Sequence, residues 1–103
     1  MAKDRKKTKQ QVIKPGEDIV ASMADAFKKK LLKVLEKGQT ELIIDLAGVD
    51  IVDAVGLGVM VAAHNSLNKT GGKLTVTNVS HDIYGLFEAM HLDQHFEVRP
   101  LAG

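Results

Sequence analysis

Three aspartates lie close together in the sequence, Asp45, Asp50 and Asp53, and they are the residues best suited to metal or phosphoryl chemistry. Carboxylates gathered at the carboxyl ends of parallel strands can hold Mg²⁺ beside a phosphorylated aspartate. That chemistry needs carboxylates from different strands and a lysine from another one, whereas these three surround a single apolar run and the loop after it. We therefore expect Asp50 to lie in a turn and Asp53 to cap a helix, each accepting hydrogen bonds from backbone N–H groups.

Other patterns of catalytic residues are absent or weak. The sequence has no cysteine and no Gly-x-x-x-x-Gly-Lys-Ser/Thr phosphate loop. Its four histidines are His64, His81, His91 and His95. Only His91 and His95 share a spacing of four, in a segment with the composition of a loop, and a zinc site requires three or four ligands. We predict that the protein is not an enzyme and that it binds no metal and no cofactor.

The tripeptide Gly56-Leu57-Gly58 has part of the spacing of a dinucleotide-binding loop. It lacks the third glycine and the acidic residue that such a loop needs on a later strand. We interpret these glycines as a means of packing a helix closely against a strand.

Periodic apolar residues predict an amphipathic first helix at about residues 18–37. Its apolar stripe consists of Ile19, Met23, Phe27, Leu31 and Leu35. We expect Glu17 and Asp18 to open this helix and lysines to close it, as the helix dipole favours, with Gly38 just after its end. A short strand at 11–14, ended by Pro15-Gly16, is expected before it.

A strand–helix–strand unit is predicted next. Residues 41–46 form a short continuous apolar run, which is typical of a strand buried on both faces. Residues 54–69 predict a second helix, and the alternating residues 73–78 predict another strand. The two strands of such a unit are parallel and the connection is right-handed. The first two turns of the second helix are apolar on nearly every side, so this helix either is central or keeps one face for a partner.

The last part of the chain predicts a third helix and a final strand. Ser80 is placed to cap a helix over 81–90. The buried stripe of that helix would consist of Ile83, Leu86, Phe87 and Met90. Residues 95–98 suit a strand before Pro100. The predicted fold class is α/β, a single domain with a small mixed or parallel β-sheet and helices packed on it.

Charge is distributed unevenly along the 103 residues. Five basic residues and one acidic residue occupy positions 1–9, whereas the remainder carries nine basic and twelve acidic residues. We expect residues 1–10 to be a basic disordered tail and 11–103 to be the folded domain. A nucleic-acid-binding domain needs a basic face on the fold itself, so no nucleic-acid partner is expected. The sequence shows no signal peptide and no run of about 18 apolar residues, which predicts a cytoplasmic protein without membrane insertion.

The segment from Ile43 to Val59 carries a family resemblance, because Ile-Ile-Asp-Leu is followed by a short loop and then by Asp-Ala-Val-Gly-Leu-Gly. It resembles the signature of STAS domains, named after sulfate transporters and anti-sigma factor antagonists. In that signature an apolar strand ending in Asp-Leu precedes a short loop and a helix start of the form Asp-Ser-x-Gly-Leu-Gly, in which x is often Ser. The resemblance covers most of residues 12–99. It implies the STAS-like α/β fold and a non-catalytic, protein-binding role in regulation.

In anti-sigma factor antagonists, a partner kinase phosphorylates the serine that follows the motif aspartate, and the phosphate blocks binding by its charge and bulk. The corresponding residue here is Ala54, followed by Val55, and neither side chain has a hydroxyl. Three interpretations stay open: a constitutive binder, a STAS branch that does not use phosphorylation, and an engineered Ser→Ala change.

The resemblance and the position of the second helix together predict the partner-binding face. It would comprise the loop 48–53 and the helix start, namely Asp53, Ala54, Val55, Gly56 and Leu57. Gly56 is expected to let a partner backbone approach. The expected partner is a serine-kinase-like anti-sigma factor. A transporter subunit, a sensory histidine kinase and a nucleotide are the alternatives, and a weak homodimer is also left open.

Overall fold

The computed structural model describes residues 10–38 and 41–101. The strands in this part of the chain are β1 (Gln10–Ile13), β2 (Glu41–Asp45), β3 (Lys73–Val79) and β4 (Glu97–Pro100), and the α-helices are α1 (Ala21–Glu36), α2 (Ala54–Lys69) and α3 (His81–Ala89). No α-helix among these combines the length and hydrophobicity of a membrane-spanning segment. The predicted basic tail lies outside the described residues except for Gln10, which is the first residue of β1.

The strands form one parallel sheet in the order β1-β2-β3-β4. In the described part of the chain the sheet is therefore parallel, which is one of the two arrangements predicted. Because each connection joins neighbouring strands in the same direction, right-handed crossovers place α1, α2 and α3 on one face of the sheet. The side chains between the sheet and the helices form a single core, which includes Leu42, Ile44, Leu74, Val76, Phe27, Met60 and Phe87.

The start of α1 differs from the prediction, because the helix begins at Ala21 and not near residue 18. Ile19 instead pairs with the loop before α2. Its N–H donates to the Ile51 carbonyl at 2.9 Å, and its carbonyl accepts from the Asp53 N–H at 3.1 Å. These bonds occupy backbone groups that a longer helix would use. The acidic pair expected to open the helix therefore lies before it, and the first turn of α1 has no acidic residue.

The end of the chain differs from the prediction in two details. Met90, expected to be buried, follows the end of α3 and is 49% exposed. His91 then takes a left-handed conformation with φ of 58°, and a 3₁₀ helix follows it. This turn moves the start of β4 to Glu97, two residues later than expected. The cap of α3 is confirmed, because the Ser80 hydroxyl accepts a hydrogen bond from the Ile83 N–H at 3.4 Å.

Candidate protein-binding site

The start of α2 lies at the edge of the sheet where the parallel strands end, as expected for a recognition site in an α/β fold. α2 has the limits that the sequence predicts. Asp53 caps this helix: Oδ1 accepts from the Gly56 N–H at 2.9 Å, and Oδ2 accepts from the Ala21 N–H at 2.9 Å. One carboxylate therefore caps α2 and ties it to the first residue of α1, which confirms the capping interpretation of Asp53.

A second carboxylate, that of Asp18, holds the loop before α2. Its Oδ1 accepts hydrogen bonds from the N–H groups of Asp50 and Ile51, both at 3.1 Å. Asp50 lies in the loop as predicted, but no donor to its carboxylate is found within residues 10–38 and 41–101. The side chain that orders this loop comes instead from a residue 32 positions earlier in the chain.

Gly56 lets α2 pack directly against the segment before α1. It is buried, and a Cβ at this position would overlap the carbonyl oxygen and the side chain of Ile19. The missing side chain therefore serves contact within the chain, and the expected approach of a partner backbone to Gly56 is corrected. The packing interpretation holds for Gly56 and fails for Gly58, where a Cβ would meet no atom within 4 Å.

Apolar side chains are exposed around the start of α2. Ala54 and Val55 are its first two residues; both are exposed, Val55 to 48%. Ile51 of the preceding loop is 54% exposed, and Asp53 between them is half-buried. The other two residues of the predicted helix start, Gly56 and Leu57, are buried, and Leu57 belongs to the core. The accessible part of the predicted site therefore consists of Asp53, Ala54 and Val55 together with Gly48, Asp50 and Ile51 of the loop.

Asp18 lies outside the predicted binding face, whereas Ile51 belongs to its loop 48–53 but is not among the residues named for it. Ile51 and Val52 are both apolar, and the sequence does not show that Val52 is buried while Ile51 is exposed. Residues next to each other in extended backbone face opposite sides, so either one could have faced the core. The position of Asp18 suited a helix start, but its bonds to the distant loop take precedence.

Hydrogen bonds keep two aspartates of this edge ionised. The Gly56 N–H holds the pKa of Asp53 below its ordinary value, and the Ala21 N–H acts in the same direction. Asp45, at the end of β2, accepts from the Asn78 amide and from the Ala47 N–H, both at 2.9 Å. The Asn78 bond is the main cause of the lowered pKa of Asp45. These carboxylates therefore bind separate parts of the protein, as structural acceptors do.

The two histidines that lie near each other are not His91 and His95, which share a spacing of four in the sequence. The ring centroid of His64, on α2, lies 6.0 Å from that of His95 and 5.7 Å from that of Phe96. In the part of the chain that the structure describes, no three potential metal-ligating side chains form a group. The ring of His95 lies beside the ring of His64 on α2.

Comparison with models of protein families identifies the family of this chain. The model of the STAS domain matches residues 3–101. The chain belongs to the STAS family. The match includes all four strands and all three α-helices described above.

Curated relatives of this STAS domain are named anti-sigma-B factor antagonists. That of Staphylococcus epidermidis is 27% identical over 92 residues, which are 84% of this chain and 85% of the relative. That of Bacillus subtilis is 34% identical over 75 residues, which are 73% of this chain and 68% of the relative. The crystal structure of an anti-sigma factor antagonist from Mycobacterium paratuberculosis matches with a TM-score of 0.81 at 23% identity, over 97% of this chain and 83% of that chain. The predicted family and fold are confirmed, and the relatives support a regulatory module.

Proposed function

We propose that this STAS domain is a non-catalytic module that binds a protein partner through the exposed start of α2, and that the partner is an anti-sigma factor of the serine-kinase type. The observation that carries the proposal is the accessible apolar group of Ile51, Ala54 and Val55, held in place by Asp53 and Asp18. Apolar side chains on a fixed backbone can be buried by a partner without loss of polar hydration and with little loss of conformational entropy. The names of the curated relatives support this class of partner.

The proposed binding is not switched by phosphorylation at the start of α2. Ala54 is the first residue of α2, where its methyl group cannot accept a phosphate. A phosphate there would add negative charge and bulk beside the exposed Val55 and would oppose burial of this face. The chain as it stands therefore presents the binding face without that control.

The proposal is tested by affinity capture from a lysate of the source organism, followed by mass spectrometry. The baits are the unaltered chain, Ala54→Glu and the matched control Ala26→Glu. Ala26 is exposed on α1 and gives the same change of charge away from the α2 start. We expect Ala54→Glu alone to lose a kinase-like anti-sigma factor, because its carboxylate would have to be buried against the partner. A glutamate in the first turn suits the helix dipole, so circular dichroism should show an intact fold.

Calorimetry with the captured regulator then gives the size of the effect. We expect Ala54→Glu to raise the Kd at least about tenfold, since an unpaired charge buried at an interface costs more than about 1.4 kcal/mol. Capture of the same proteins by all three baits would refute the α2 start as the binding site. Capture of transporter subunits in place of a kinase-like regulator would refute the sigma-factor role.

A further inference from the structure

α1 and α2 form the walls of an apolar groove that is open to solvent. The groove has a volume of about 340 Å³. Leu32 and Leu35 of α1 line one wall, and Val55 and Val59 of α2 line the other. Leu32 is 45% exposed and Val55 is 48% exposed. The two helices thus leave large apolar side chains uncovered on both sides of the same depression.

The α2 wall is shaped so that another helix can pack against it. Val55, Gly58, Ala62 and Ser66 recur at intervals of three or four residues and lie on one side of α2. From the first to the last of these, the helix rises by about 16 Å, or three turns. Three of the four side chains are small or absent, and a Cβ at Gly58 would meet nothing within 4 Å. The backbone of a third helix can therefore approach α2 closely along this length.

The charge of the two helices is opposite to that of the rest of the domain. Five lysines and two acidic residues lie on α1 and α2, and α2 has no acidic residue at all. The rest of residues 10–103 holds four basic and ten acidic residues. Lys28 lines the groove itself, and among the described residues no carboxylate lies within ion-pair distance of it. An occupant with negative charge beside an apolar surface would match these walls.

We propose that this groove is the docking site of an acidic amphipathic helix from a protein partner. Its apolar face would lie between Leu32 and Val55, and its acidic flank would face Lys28. The inference rests on the proposed function, because Val55 belongs both to the α2 start and to the groove. The partner would then contact the first turn of α2 and follow the helix for about three turns. The groove is concave, which favours a helix over the flat surface of a membrane.

The test uses two fluorescein-labelled peptides of 16 residues, the length of α2. Both carry the same leucine stripe at i, i+3, i+4 and i+7, and the flanking positions are glutamate in one peptide and lysine in the other. Fluorescence anisotropy is measured with the full chain at low salt. We expect the acidic peptide to have a Kd at least about tenfold lower than the basic one, and the difference to shrink as salt is added.

Variants of the chain locate the binding. Ala62→Glu places a carboxylate on the α2 wall and is expected to weaken the acidic peptide about tenfold or more. Leu32→Glu tests the opposite wall, so the result does not depend on one variant. Ala26→Glu adds the same charge two positions from Lys28, on a different side of α1, and is expected to leave the affinity unchanged.

Equal affinities for the two peptides, or binding that survives both groove variants, would overturn the docking proposal. Binding to vesicles of phosphatidylglycerol and phosphatidylcholine without binding to the acidic peptide would overturn it as well.

The two proposals can fail separately. If the peptides do not bind while Ala54→Glu loses its captured regulator, the α2 start stands and the groove does not. If the acidic peptide binds in the groove while Ala54→Glu keeps every captured protein, the groove stands and the α2 start does not.

Discussion

Asp53 places the first turn of α2 by bonding to two helices at once. One carboxylate oxygen accepts from Gly56 of α2, and the other accepts from Ala21 of α1. An asparagine can keep the first bond, but its NH₂ group cannot accept the second. The position of the exposed Val55 relative to α1 therefore depends on an ionised carboxylate, which a neutral cap does not replace.

The stability conferred by Asp53 should depend on pH. Its pKa is lowered in the folded state, chiefly by the Gly56 N–H, so it contributes stability above the ordinary aspartate pKa of about 3.9 and loses that contribution as pH falls through its lower folded-state pKa. We expect Asp53→Asn to be less stable than the unaltered chain at neutral pH. The difference should shrink as the pH is lowered below about 4. Urea unfolding of both proteins at several pH values measures it, and a difference that stays constant would contradict this role.

Serine in place of Ala54 should create the phospho-acceptor that the family motif contains. Ala54 is exposed in the first turn of α2, so a hydroxyl there needs no space in the core. With the kinase-like regulator and ATP, we expect one phosphate on Ala54→Ser and none on the unaltered chain, followed by loss of binding. Intact-mass spectrometry and calorimetry measure the two effects. Phosphorylation of the unaltered chain with the same loss of binding would contradict the prediction.

The first two turns of α2 contain two glycines that have opposite effects on stability. Gly56 is buried against Ile19, whereas Gly58 is exposed and faces the groove between α1 and α2. The backbone freedom of a helical glycine is a cost in both cases. Only Gly56 offsets that cost, because it permits a contact that a methyl group would prevent.

Alanine at each glycine should therefore change stability in opposite directions. Gly58→Ala is expected to raise the free energy of unfolding by about 0.5–1 kcal/mol, since alanine is the better helix former. Gly56→Ala is expected to lower it by about 1–3 kcal/mol, because the added methyl group overlaps the Ile19 carbonyl. Chemical denaturation of both variants compares them directly. A stabilised Gly56→Ala protein would show that the contact with Ile19 is not tight.

The limits of the elements could be predicted where local residues determine them. Asp53 caps the start of α2, Thr70 and the left-handed Gly71 follow its end directly, and that helix has its predicted limits. The start of α1 was missed because Asp18 and Ile19 bond to a loop more than thirty residues away. The binding face was predicted in part, since a motif names residues in order and does not show which of them are buried.

The four strands are parallel and lie side by side in chain order, so the helices cover only one of the two faces of the sheet. One face carries the core and the helices, and the other carries polar contacts such as the ion pairs of Glu97 with Lys73 and Arg99. The sequence left parallel and mixed sheets open because β1 and β4 have only four residues each. Alternation in so short a strand shows its faces but not its direction.

Phe87 joins the last α-helix to the residue just before the last strand across the core. It is fully buried on α3, and its ring meets Phe96 edge-on at a centroid distance of 6.1 Å. We expect Phe87→Ala to lower the free energy of unfolding by about 3–5 kcal/mol, through lost burial and the cavity left behind. The exposed Leu101 offers a control, since Leu101→Ala should have little effect. Thermal unfolding measures both, and similar losses in the two variants would contradict this view of the core.

The bonds from Asp18 to Asp50 and Ile51 have a consequence for synthesis and turnover of the protein. The loop that carries Ile51 is ordered by a carboxylate 32 and 33 residues earlier in the chain, so a growing or partly unfolded chain does not hold the apolar surface at the α2 start in its native arrangement. A regulator that recognises this surface would bind only molecules that have completed folding. By mass action it would then draw the population toward the native state, so the regulator would also protect the domain from proteolysis.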